Sequence, residues 1–99
     1  MNSNKIAQNV YTKKMAEELE NLMILFEISN EELSKKIGLD KRELTQIMLG
    51  ERELQWSEYL AILFLFWRND NIRQVIEEKE LFPEELKQMM TAERRSTNI

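Results

Sequence analysis

Residues whose types could carry acid–base chemistry include the adjacent glutamate pairs Glu17-Glu18, Glu77-Glu78 and Glu84-Glu85. Neighbouring residues in a helix point about 100° apart, so neither member of a pair faces the same site as the other. General acid–base catalysis by two carboxylates needs both of them at one substrate. We therefore interpret all three pairs as solvated helix faces.

Nucleophilic and metal chemistry lack their usual residues, because the 99-residue chain contains no cysteine and no histidine. Ser-His and Cys-His nucleophile pairs are excluded, and a structural zinc site loses its common ligands. The two glycines, Gly38 and Gly50, lie at separate helix ends and cannot form a glycine-rich loop that cradles phosphates. We expect no enzymatic activity, no cofactor and no metal.

A second kind of chemistry, hydrogen bonding to a ligand surface, is concentrated in residues 29–52, which predict two short helices joined by a glycine turn. Ser29 followed by Glu32 predicts a capping box at the first helix. Gly38 lies where the chain leaves that helix with a positive φ, which glycine adopts without steric cost. Leu39 is then expected to enter the core between the two helices.

The second helix of this segment is expected to begin at Asp40, with Glu43 repeating the capping arrangement, and to end at Gly50. Its predicted buried residues are Leu44, Ile47 and Met48. Its outward face carries four side chains able to donate or accept hydrogen bonds: Lys41, Arg42, Thr45 and Gln46. A short helix, a glycine turn and a short helix with a polar outward face is the helix-turn-helix pattern.

Over residues 15–67 the chain resembles the lambda-repressor-like, Xre-type helix-turn-helix family. The resemblance is carried by Leu22, Ile28, Ser29, Asn30, Glu32, Leu33, Ile37, Gly38, Leu39, Leu44, Thr45, Ile47 and Gly50, with Ile62 and Phe66 placed like the family's last core helix. Three features depart from the family pattern: Met48 and Leu49 at the end of the second helix, and the apolar run at residues 23–26.

The resemblance implies a sequence-specific DNA-binding transcriptional regulator, repressor-like and of bacterial or phage type. The helix at residues 40–49 would lie in the major groove of double-stranded DNA. Lys41, Arg42, Thr45 and Gln46 would read bases, and Gln46 has the geometry for a bidentate contact with adenine. Asn30 and Arg52 would hold phosphates.

The whole chain is predicted to be one all-α domain, a compact five- to six-helix domain of the lambda-repressor-like kind with a C-terminal helical extension. The helix-turn-helix core spans residues 12–67 and the extension spans residues 71–92. Residues 1–11 show no clear period and are expected to be a loose arm or a frayed helix start. Ser57 is the expected cap of the fourth helix, and Asp70 or Asn71 that of the fifth.

Surplus apolar residues on the first and fourth helices, among them residues 23–26, Phe64 and Trp67, require a cover. Either the C-terminal helices fold back over them in the same chain, or they pack against a second chain. We favour a homodimer. The residues of the predicted dimer interface are Phe26, Trp67, Val75, Ile76, Phe82, Leu86 and Met89. If the partner is a different protein, the same residues are expected to bind it.

The net charge of −4 at pH 7 is unusual for a DNA-binding protein, since such proteins generally present a basic patch. Residues 29–52 are themselves neutral. A second hypothesis therefore stays open: a helix-turn-helix protein-interaction module, an antirepressor or modulator, that binds another regulator in place of DNA.

Targeting and membrane signals are not recognisable in the sequence. The polar opening does not have the apolar stretch of a secretory signal. The longest apolar run, residues 59–67, is shorter than the roughly 20 residues that a membrane span requires. We expect a soluble, cytoplasmic protein with no membrane partner.

Overall fold

The computed structural model describes residues 7–89, and this part of the chain is all-α, without a strand. The helices are α1 (Gln8–Phe26), α2 (Asn30–Ile37), α3 (Lys41–Met48), α4 (Trp56–Trp67), α5 (Asp70–Glu78) and a helical segment at residues 84–89, α6. The predicted fold class is confirmed. Within residues 7–89 no helix is long and apolar enough to cross a bilayer.

Helix α1 begins at Gln8, four residues before the predicted start at Thr12. Of the two alternatives for residues 8–11, the structure has the start of the helix and not a loose arm. Residues 1–6 lie outside the described part. The predicted apolar face is confirmed, because Met15, Leu19 and Leu22 are fully buried. The helix ends at Glu27, which takes a left-handed conformation with φ 57°.

Helices α2 and α3 form as the local signals predict. Ser29 Oγ accepts from the Glu32 N–H at 3.1 Å, and Glu32 Oε1 accepts from the Ser29 N–H at 3.0 Å. Gly38 leaves α2 with φ 71°, and Asp40 Oδ1 caps α3 by accepting from the Arg42 N–H at 2.8 Å. Within residues 7–89 Glu43 returns no such bond, so Asp40 caps α3 alone, contrary to the prediction.

The caps of the next two helices differ from those predicted. Gln55, not Ser57, is the N-cap of α4, and its N–H donates to Glu58 Oε1 at 2.9 Å. Asn69, not Asp70 or Asn71, is the N-cap of α5, and its Oδ1 accepts from two backbone N–H groups. Both corrections have one cause: the cap is the residue whose backbone is extended. Composition does not identify that residue.

The C-terminal extension packs on its own chain. Tyr59, in the centre of α4, donates its hydroxyl hydrogen to the Leu81 carbonyl oxygen. Burial raises the pKa of the Tyr59 hydroxyl, which therefore keeps this hydrogen. The rings of Trp67 and Phe82 meet edge to face at 4.6 Å, and Arg73 donates two hydrogen bonds to the Trp67 carbonyl oxygen.

This packing corrects two predicted interface residues. Ile76 is 0% exposed and Phe82 is 6% exposed, so both belong to the core of a single chain. Amphipathic helices have the same sequence pattern whether they fold onto their own chain or onto another. Of the remaining predicted interface residues, Phe26, Trp67, Val75 and Leu86 are half-buried against the core, and Met89 is 62% exposed.

Candidate nucleic-acid interface

The helix-turn-helix unit is attached to the rest of the domain through its apolar side. Leu33 of α2 and Leu44 and Ile47 of α3 are buried, and Leu39 in the turn between the helices is 9% exposed. Helix α3 contacts α1, and α2 contacts α4. These contacts fix both helices and leave the opposite side of α3 to the solvent.

The outward side of α3 carries the four predicted base-reading residues. Lys41 and Arg42 are exposed, whereas Thr45 and Gln46 are half-buried. Thr45 Oγ1 donates to the Lys41 carbonyl oxygen at 3.1 Å, so toward a ligand this hydroxyl can only accept.

Leu49 is 66% exposed at the C-terminal end of α3. Arg42, Gln46 and Leu49 follow the spacing i, i+4 and i+7 and therefore form one strip along the helix. This strip combines a guanidinium, an amide and an apolar side chain. From the sequence alone, Leu49 was identified only as a departure from the pattern of the helix-turn-helix family that the chain resembles.

Cations without an intramolecular partner gather at the α2–α3 turn. Within residues 7–89, Lys36, Lys41 and Arg42 form no ion pair, whereas Lys35 lies 3.9 Å from Glu31. The Asp40 carboxylate, which lies among them, accepts from the α3 backbone. The local field at this turn is therefore more positive than the neutral composition of residues 29–52 indicates.

Arg52, the other predicted phosphate contact, forms an ion pair within the protein, and its contact with phosphate stays a prediction. Its Nη1 donates to Glu58 Oε1 at 3.0 Å and its Nη2 donates to Glu58 Oε2 at 2.8 Å. The two side chains are only 24% and 15% exposed. Both arms of the guanidinium are thus engaged within the protein.

The pKa values of this pair move in the directions that a strong ion pair requires. Hydrogen bonds from Arg52 lower the pKa of the Glu58 carboxyl, although burial opposes this shift. The hydrogen bond to Glu58 raises the pKa of Arg52, again against the effect of burial. The sequence analysis did not identify Glu58 as the partner of Arg52. The available signal was its position three residues after Gln55, which is typical of a capping box at the start of a helix.

Asn30 lies in the first turn of α2, as predicted, and it is half-buried. It lines a shallow groove together with Ile24, Glu27 and Met48. Asn30 is therefore separated from the cations of the α2–α3 turn by the length of α2, and its nearest charged neighbours are acidic. A phosphate contact at Asn30 stays a prediction.

Within residues 7–89, no three acidic side chains lie close enough together to hold a metal ion. Comparisons of the chain with protein-family models, with curated proteins and with solved structures find no match. The geometry and the charges of the α2–α3 unit are therefore the basis for assigning a function to this protein.

Proposed function

We propose that this protein is a sequence-specific, repressor-like transcriptional regulator that reads the major groove of double-stranded DNA with α3. One observation carries the proposal: the exposed N-terminal end of α3 presents the side chains of Lys41 and Arg42, which form no ion pair within residues 7–89, on a helix anchored by the buried Leu44 and Ile47. In helix-turn-helix proteins the residues near the start of the second helix contact base edges. The proposed location is the cytoplasm of a bacterial cell.

Readout would use the strip along α3. Arginine pairs with the O6 and N7 atoms of guanine, glutamine pairs with the N6 and N7 atoms of adenine, and an apolar side chain contacts the thymine methyl group. Arg42, Gln46 and Leu49 supply one side chain of each kind. Lys41 and Thr45 flank the strip and complete the reading face.

Affinity would be modest and dependent on salt. Three cations that are unpaired within the described part of the chain, Lys36, Lys41 and Arg42, are available at the turn. Each phosphate that they neutralise contributes about −0.9 to the slope of log K against log salt. We therefore expect a slope of about −3 for each protomer. The protein would find its operator through base contacts more than through general attraction to DNA.

The deciding experiment is a selection of duplexes from a random pool at low salt, followed by binding measurements on the winners as salt is raised. Enrichment of one motif supports the proposal, and two half-sites one helical turn apart support binding as a homodimer. No enrichment by a folded protein refutes the proposal.

We propose a homodimer that uses the apolar side chains left exposed once the extension has folded onto its own chain. Phe64 is 45% exposed and lies one turn before the half-buried Trp67, and Met89 is 62% exposed. Sedimentation equilibrium tests this interface through Phe64→Asp, which should yield monomers. Val10→Asp is the control, because Val10 is 48% exposed and lies at the start of α1. A wild-type monomer, or equal effects of both variants, contradicts the proposed interface.

A further inference from the structure

A shallow groove of about 480 Å³ separates the C-terminal half of α1 from the α2–α3 unit, and we call it the acidic groove. Its apolar lining includes Met23, Ile24 and Met48. Its carboxylates are Glu20, Glu27 and Glu32. The groove therefore combines an apolar surface with carboxylates of one sign, and no lysine or arginine lines it.

Part of the apolar lining of the acidic groove lies outside the core, although Met23 is a core residue at 5% exposed. Ile24 is 67% exposed, because α1 packs its opposite face into the core through Leu19 and Leu22. Met48 also lines a neighbouring groove of about 520 Å³, where it is joined by Leu49. Apolar surface thus continues from Ile24 across Met48 to the end of α3. Nothing within residues 7–89 covers it.

The carboxylates of the acidic groove are not paired with a cation of the described part, whereas some carboxylates elsewhere are. Glu18 and Glu77 lie within 3.5 Å and 2.8 Å of lysine Nζ atoms. Glu20 and Glu27 belong to no ion pair among residues 7–89, and Glu32 accepts only from the backbone N–H of its capping box. Negative charge that no cation of residues 7–89 neutralises therefore lies beside exposed apolar side chains in this groove.

We propose that the acidic groove binds a basic amphipathic helix of a protein partner. An apolar side chain of that helix would insert between Ile24 and Met48, where the flexible methionine adapts to its shape. Lysine or arginine side chains on the flanks of the helix would face Glu20, Glu27 and Glu32. This is the helix-in-groove mode of recognition, and charge complementarity selects the partner.

The proposal is independent of DNA binding by α3, and charge separates the two sites. The carboxylates of the acidic groove repel phosphate, whereas the cations at the α2–α3 turn attract it. A nucleic acid is therefore excluded as the occupant of the groove. A module that captures another regulator needs a surface of this kind.

The test uses a fluorescein-labelled, amidated 14-residue peptide of leucine and lysine, with the leucines spaced to form one helical stripe. A peptide of the same composition in scrambled order is the control for charge alone. Fluorescence anisotropy measures binding to the full-length protein at low and high salt. We expect saturable one-to-one binding, and the scrambled peptide should bind at least about tenfold more weakly, because it has no apolar stripe.

Matched variants locate the binding site. Ile24→Ser should weaken binding of the peptide by about tenfold, since the insertion of an aliphatic side chain depends on this contact. Val10→Ser changes an exposed apolar side chain in the first turn of α1, about 20 Å along the helix from Ile24, and should leave the affinity unchanged. The double variant Glu20→Gln and Glu27→Gln should abolish most of the salt dependence, which Glu84→Gln should not affect.

Three results would overturn the proposal. The first is the absence of saturable binding by the folded wild-type protein, and the second is equal binding of the scrambled peptide. The third is an equal loss of affinity in Ile24→Ser and Val10→Ser. If Ile24→Ser instead turns a dimer into a monomer in sedimentation equilibrium, the occupant is a second copy of this chain and the proposed partner is wrong. Both variants replace exposed side chains, and circular dichroism verifies that they are folded.

Discussion

Glu58, in the first turn of α4, forms an ion pair with Arg52, which lies in the connection between α3 and α4. Replacing Glu58 with glutamine removes the negative charge of this pair and leaves the shape of the side chain nearly unchanged. The Glu58 carboxylate accepts three hydrogen bonds, two from Arg52 at 3.0 and 2.8 Å and one from the Gln55 N–H at 2.9 Å. Glutamine retains one carbonyl oxygen. Its amide group would point two hydrogens at the guanidinium, so the bidentate arrangement cannot survive.

The magnitude follows from the partial burial of the pair, whose side chains are 24% and 15% exposed. Exposed ion pairs contribute about 0–1 kcal/mol, whereas loss of one partner from a buried pair costs about 3–5 kcal/mol. We expect Glu58→Gln to lower the free energy of unfolding by about 2 kcal/mol. In a domain of this size the melting temperature would fall by about 10 °C.

The stabilising effect of Glu58 has a definite pH dependence. Its pKa is lower in the folded protein than its ordinary value of 4.5. The stabilisation is therefore fully present above about pH 5 and is lost as the pH falls through the lower, folded-state pKa. The difference between wild type and Glu58→Gln should be constant from pH 6 to 8 and should shrink in acid.

Urea unfolding followed by circular dichroism measures the effect at pH 7 and at about pH 3. A double-mutant cycle with Arg52→Ala isolates the coupling, which should exceed about 1 kcal/mol. The control is Glu31→Gln, because the Glu31–Lys35 pair is long and exposed, and its loss should cost less than about 0.5 kcal/mol. Our account of the pair is refuted if Glu58→Gln costs no more than this control.

Three further substitutions test other parts of the argument. Arg42→Ala should weaken operator binding by about 1–3 kcal/mol in a mobility-shift titration, whereas Arg68→Ala, at an exposed cation just after α4, should not. Gly38→Ala should lower the free energy of unfolding by about 1 kcal/mol, because φ is 71° but the added Cβ would have no atom within 4 Å; a loss of 3 kcal/mol would show a clash that the geometry does not contain. Tyr59→Phe should cost about 1–3 kcal/mol in urea unfolding because it leaves the Leu81 carbonyl oxygen without its hydroxyl donor; an unchanged stability would show that this bond contributes nothing.

The helix-turn-helix unit could be predicted because its signals are local. Ser29, Glu32 and Gly38 act within a few residues of themselves through capping and backbone conformation. The buried face of α1 was equally readable, since its period of 3.6 depends only on the order of residues. The start of α1 could not be predicted, because residues 8–11 show no apolar period although they form the first turn of the helix.

The partners of side chains that are distant in sequence or free to pair in several ways could not be predicted. Arg52 looked like a phosphate contact because nothing in its own neighbourhood showed that Glu58 would turn toward it from the first turn of α4. Ile76 and Phe82 looked like interface residues because an amphipathic pattern reports a buried face without naming the chain that buries it. Tertiary packing decides which side chains pair and which chain buries an apolar face.

The position of α4 has a consequence for the timescale on which this domain opens. Tyr59, Ile62, Leu63 and Phe66 are all 0% exposed, and α4 contacts α1, α2 and α5. Its amide hydrogens can therefore exchange with solvent only when the whole domain unfolds. Helix α2 packs on α4, and α3 packs on α1 and α2, so we expect the proposed reading face to be ordered in the free protein. Rigidity of this kind lowers the entropy lost when a surface is bound.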